Sequence, residues 1–237
     1  MFQTVLAAAV ITAISCSVWI RRTSWRMRWD GVLTLGVALQ AAGFLLTIPT
    51  QSRMVSRFLF SIIGTAHVRD WIGHVCFMSA ASCVVYAAAF RLVDDAHLGR
   101  VLKRLEYPSA VAAAVMLMCL LHARVLKTPG VGDFFAVPCD GWLTGYWLTY
   151  SGICIYILGY MVRLLWVLRR DPRNRISANV FITAVHVGYI AIGAIIWHAL
   201  GVVVSVAWLW IPLATASALA ATASAWSWRG RIIPALI

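Results

Sequence analysis

Charge is what this chain has least of. Asp, Glu, Lys and Arg make up 12% of its 237 residues, about half the ~25% of an ordinary soluble domain. Acidic residues are scarcer still, 8 against 20 Lys and Arg, with Glu106 the single glutamate. Catalytic signatures are missing as well. No His-Glu-x-x-His pair, phosphate-cradling glycine loop or Gly-x-Ser-x-Gly elbow occurs, which excludes the zinc-hydrolase, nucleotide-triphosphatase and serine-hydrolase patterns. The last apolar run contains no lysine, so a retinal Schiff base is excluded. Every Asp, Glu, Lys and Arg falls in a linker or near a helix end. An ion-coupled transporter usually needs a carboxylate inside a span, because only a charged or titrating group couples an ion to a movement.

What remains is apolar. The chain is 62% hydrophobic and its mean hydropathy is +0.85. A hydrocarbon core about 30 Å thick takes roughly 20 helical residues to cross. Runs of that kind are expected at 2–20, 31–49, 71–90, 107–126, 142–168, 178–200 and 202–227. The fold class expected is an all-α integral membrane protein. It is one domain over residues 1–237, a bundle of seven transmembrane helices in the cell membrane. Phe2 to Ile20 reads as an uncleaved first helix, since Arg21 and Arg22 follow it and no charge precedes it, the reverse of a signal peptide.

Basic residues orient the bundle. With the N-terminus outside, the inner side collects Arg21, Arg22, Arg26, Arg28, Arg91, Arg100, Lys103, Arg104, Arg163, Arg169, Arg170, Arg173, Arg175, Arg229 and Arg231. The outer side holds Arg53, Arg57, Arg69, Arg124 and Lys127, so the split is 15 to 5 and the C-terminus is cytoplasmic. Tryptophans form two groups that match. Trp19, Trp25, Trp29, Trp166, Trp226 and Trp228 fall at inner ends, and Trp71, Trp142, Trp147, Trp197, Trp208 and Trp210 at outer ends. Indole rings favour the headgroup level. The net charge of +12 therefore faces lipid headgroups, and with no basic helix face beside an aromatic platform it does not indicate nucleic acid.

Two linkers carry helical patterns. Arg53 to Ile63 alternates basic and apolar residues, as expected of a short amphipathic helix on the outer surface. Leu92 to Leu105 is expected to lie along the inner surface. In the final span Ala214, Ala218 and Thr222, with Ala216, Ala220 and Ser224 beside them, mark a small-residue packing face. Pro212 is expected to kink that helix.

Histidine and cysteine supply the candidate sites. His74, His122 and His198 share one depth near the outer ends of three spans. Together they are the candidate ligands for a transition metal, and any two of them for haem. The competing reading makes each an interfacial residue bonded to water or a carbonyl, and no cofactor is required. His186 and Gln40 read as polar contacts between helices. Cys16, Cys83, Cys119 and Cys154 read as packing residues. Cys76 and Cys139, both toward the outer face, are the candidate disulfide, with a free loop cysteine as the alternative.

The segment Phe58 to His74 (Phe-Leu-Phe-Ser-Ile-Ile-Gly-Thr-Ala-His-Val-Arg-Asp-Trp-Ile-Gly-His) and Tyr146-Trp147-Leu148-Thr149-Tyr150, leading to Arg163 and Arg169–Arg170, carry a resemblance. With the seven-span layout, the chain resembles a family of actinobacterial membrane proteins described as transporters without an established activity. The resemblance implies a membrane bundle and carries no site residue. The function expected is a non-enzymatic sensor, channel-like or accessory membrane component. A haem- or metal-binding redox protein and an uncoupled transporter stand as alternatives. The bilayer is the expected partner, together with other membrane proteins or further copies of the chain.

Overall fold

The computed structural model describes residues 2–26, 28–48, 53–126, 133–202 and 205–232. Lys127 of the charge count lies outside them, as do the side chains of Arg26, Arg28, Trp29, Arg53, Arg57, Arg229 and Arg231. Among the described residues the regular structure is entirely helical: α1 (Phe2–Ile20), α2 (Arg28–Thr47), α3 (Arg53–Ile63), α4 (Val68–Ala89), α5 (Asp95–His122), α6 (Gly141–Leu168), α7 (Arg175–Ala199) and α8 (Val206–Ile232), with short 3-10 turns at Ser24–Arg26, Arg124–Leu126 and Phe134–Ala136. Six of them, α2 and α4 to α8, are long and apolar enough to cross a membrane. The described apolar stretch of α1, Ala8–Ile20, is shorter.

The breaks follow local chemistry. Asp94 caps α5 by accepting from His97 N at 2.8 Å, and that bond holds its carboxyl below the usual carboxylate range. Asp140 caps α6 by accepting from Leu143 N, and its second oxygen accepts from Arg124 N, both at 2.8 Å. Gly201, at φ 82°, ends α7 in the left-handed conformation that glycine adopts without strain.

Two expectations about elements are corrected. Leu92 to Leu105 is no separate surface helix, because most of it forms the first half of the continuous α5. Pro108 does not stop that helix. It has no N–H for the carbonyl of Arg104, and the Tyr156 hydroxyl of α6 donates to that oxygen instead, at 3.0 Å. The buried small-residue face of α8 is Ala214, Ser217, Ala221 and Ser224, whereas Thr222 is exposed. The spacing-four stripe drifts round the helix, and the steps of three and four follow its turn.

Helices α2, α4, α6, α7 and α8 form a ring, with α1 packed across α8 and α2 and α5 packed outside α4 and α6. The α2–α4 contact is backbone to backbone. A Cβ on Gly73 would stand 3.1 Å from Gly43 O and 2.6 Å from Thr47 Cγ2, and one on Gly36 would stand 2.8 Å from Cys83 Cβ. Glycine is what permits that approach.

Candidate functional site

Within the ring, a half-open cavity of about 150 Å³ lies between α2, α4, α6, α7 and α8. Its lining runs from Leu213 to Ser224 on α8 and from Tyr150 to Met161 on α6, about 16 Å in each case at the helical rise. The walls are aliphatic and aromatic, with Gln40, Ser217 and Ser224 among the few polar side chains. Such a wall favours apolar occupants over water, which needs two to four polar partners.

One end of the ring is closed by charge. Arg21, expected in a linker, is fully enclosed. Its Nε donates to Thr34 Oγ1 at 2.9 Å, its Nη1 to Ser224 O at 2.8 Å and its Nη2 to Asp30 O at 2.9 Å. Nη2 also lies 3.4 Å from Asp30 Oδ1, and the guanidinium sits over the Trp228 ring at 5.6 Å. Arg91 approaches the same carboxylate oxygen at 3.8 Å and donates to Asn174 Oδ1 at 3.2 Å. Four helices and the residue before α7 are thereby tied together. The reason is energetic: a buried guanidinium left without partners costs several kcal/mol, so burial requires this set of acceptors.

The other end is closed by aromatic rings. His74 accepts from or donates to the Tyr146 hydroxyl through Nδ1 at 2.6 Å. Its ring lies 4.6 Å from Tyr150, 5.3 Å from Trp147 and 6.0 Å from Phe134. The turn Phe134–Ala136 drives two phenyl rings into the bundle, and Phe135 stacks on Trp147 at 5.0 Å. Asp133 fixes the turn, accepting from Phe135 N at 3.0 Å and from Trp210 Nε1 at 3.2 Å. Beside it, His67 holds a left-handed backbone at φ 64° before α4, with Nδ1 2.8 Å from Asp70 Oδ2. That carboxylate oxygen also lies 3.4 Å from Arg69 Nε, while Arg69 Nη1 donates to Ile48 O at the end of α2. His67 Nε2 and Trp147 Nε1 are buried without a hydrogen-bond partner. The two segments that carry the resemblance, 58–74 and 146–150, thus meet at His74.

The expected ligand histidines separate. His122 is bonded through Nδ1 to Met118 O in its own helix at 2.8 Å and lies against Trp142. His198 has Nε2 3.7 Å from Cys139 Sγ, with the Trp147 ring near both it and His74. Shared depth did not bring the rings together, because each faces a different neighbour. Among the described residues no group of three His, Cys, Asp or Glu could hold a metal ion. The Cys76–Cys139 disulfide is likewise not formed, and both thiols are free. Cys76 lies two residues from His74 on α4, about 200° round the helix from the face His74 shows to α6, while Cys139 packs at the end of α7. Burial, then the neighbouring Asp140 carboxylate, push the Cys139 thiol up to about 11. His186 bonds Ile182 O of its own helix rather than a neighbour, and Gln40 lines the cavity.

Arg21, Asp30, Arg91, His67 and the Phe134–Phe135 turn were missed as site residues. Hydropathy ranks an arginine as linker wherever it flanks a run. The small polar residues facing it, Thr34 and Ser224, were the signal available. No protein-family model, curated protein or solved structure matches this chain.

Proposed function

We propose that this chain is a seven-span protein of the cell membrane, N-terminus outside and C-terminus cytoplasmic, that holds an apolar molecule in its interior and acts without catalysis, as a sensor or accessory component. The cavity between five helices carries this reading. An apolar chamber with few convergent polar groups is the usual form of a small-molecule site, and the Cys139 thiol beside His198 Nε2, at 3.7 Å, is pushed up to about 11 by burial rather than activated. The seven-span layout counts α1, 19 residues long, as the first span. The 15-to-5 division of basic residues supports the orientation. Exposed indoles at both ends of the bundle, Trp19, Trp25, Trp166 and Trp226 at one and Trp142, Trp197 and Trp208 at the other, support the membrane setting.

A second reading, an uncoupled carrier, draws on the two closures. A chamber with a charged cluster at one end and an aromatic turn at the other has two ends at which an occupant could be admitted or held. Both readings require occupancy of the same chamber. Tritiated dodecanol, added to the protein in phosphatidylcholine nanodiscs, should bind saturably at about one per chain. Ala184→Phe, which places a ring in the chamber wall, should abolish that binding while the protein remains monodisperse. Non-saturable uptake equal to that of empty nanodiscs would sink both.

A further inference from the structure

The shape of the chamber and the arginine beneath it define its occupant more closely. The cavity between the five helices, about 150 Å³, is lined by segments of α6 and α8 about 16 Å long. A slot of that length accommodates one extended hydrocarbon chain of about twelve carbons. A smaller cavity of about 30 Å³ continues it toward the charged end, sharing Leu33, Val84 and Phe181 with the first. Arg91 and Asn174 form part of the smaller cavity's wall.

Arg91 differs from Arg21 in how its guanidinium is used. A guanidinium offers five N–H donors. Arg91 donates to Asn174 Oδ1 at 3.2 Å, and its approach to Asp30 Oδ1 at 3.8 Å is longer than a hydrogen bond. The Asp30 carboxylate already has Arg21 3.4 Å away. The Arg91 side chain keeps 20% of its surface exposed, whereas Asp30 keeps none. Two cations thus face one carboxylate at the mouth of an apolar slot. Resting on the cavity reading above, we propose that the occupant is a single-chain amphiphile with an anionic oxygen head group, a carboxylate or a phosphate, seated on Arg91 with its tail along the slot.

Burial of the tail in the slot is common to dodecanol and the anions and gives no preference between them. The head group must supply it, and a charge-assisted, two-pronged contact to a guanidinium does so. In phosphatidylcholine nanodiscs, dodecanoate and dodecyl phosphate are each competed against tritiated dodecanol. At least one anion should bind about tenfold more tightly than dodecanol, and the tighter of the two identifies the head group. Arg91→Gln should remove that advantage while dodecanol binding changes less than about twofold, and Arg91→Lys should retain part of it. If Arg91→Gln fails to fold, the wild-type ranking alone decides. Dodecanol binding as tightly as both anions overturns the proposal and leaves the cavity reading standing. Absence of saturable dodecanol binding removes the cavity reading itself.

Discussion

Arg21 and Arg22 are neighbours in the chain and opposites in the structure. Arg21 is enclosed among Thr34, Ser224 and Asp30. Arg22 is exposed and lies over the exposed Trp19 ring at 4.6 Å. Arg21→Ala should destabilise the fold by about 3–5 kcal/mol, since it leaves a buried carboxylate beside an emptied pocket. Arg170→Ala, at an exposed position, should stay within about 0.5 kcal/mol. Reversible unfolding in mixed micelles measures both, and equal effects would contradict the assignment. Composition could not separate these arginines, because a positive charge beside an apolar run looks the same whether it meets water or a set of acceptors. Cys139 gives a second test. Its thiol, raised to about 11, is held protonated by the fold. That preference is complete below the ordinary thiol pKa of about 8.5 and is lost as pH rises toward 11. Alkylation of Cys139 should therefore be slow at pH 7 and rise about tenfold per pH unit. Peptide mapping without reductant should recover Cys76 and Cys139 as separate thiols, and a linked peptide would contradict the structure.

At the scale of elements, hydropathy located every long helix to within a few residues except α5. There it missed about half of the helix, because Leu92 to Leu105 mixes charge with leucine and reads as a surface segment. The rescue of the Arg104 carbonyl by Tyr156, across 52 positions, could not be seen from local pattern. The bounds of α3 were legible to the residue, since basic and apolar residues recur through Arg53 to Ile63 at a helical repeat. Packing between elements was less legible. Small residues were noticed on α8, but the tightest approach is between α2 and α4 at Gly36, Gly43 and Gly73. Gly73→Ala should destabilise by about 1–3 kcal/mol, because its Cβ would stand 2.6 Å from the Thr47 methyl and 3.1 Å from the Gly43 carbonyl oxygen, which no side-chain rotation moves. Gly152→Ala, where an added Cβ meets nothing within 4 Å, should be neutral or stabilising by up to about 1 kcal/mol. Thermal melting of the two variants side by side provides the comparison, and an unaffected Gly73→Ala would refute the close approach.

For the molecule as a whole, the membrane class follows from composition and the chamber does not. Apolar runs announce a bundle, but a cavity arises from which side chains fail to fill the space between five helices, a property of three-dimensional fit. The candidate histidines illustrate the same limit, since equal depth says nothing about azimuth. Orientation has a direct test. A cysteine replacing Ile62 on α3, in a background without other cysteines, should react with an impermeant maleimide in intact cells. One replacing Arg170, between α6 and α7, should react only after lysis. The reverse pattern would invert the topology. The central claim, that the chamber is a binding site, is tested most directly by native mass spectrometry of protein extracted from its own membranes without delipidation. The account predicts one small apolar or amphiphilic adduct per chain that survives mild activation and is missing from Ala184→Phe. A bare chain mass in the wild type, or an adduct unaltered by that substitution, would contradict it.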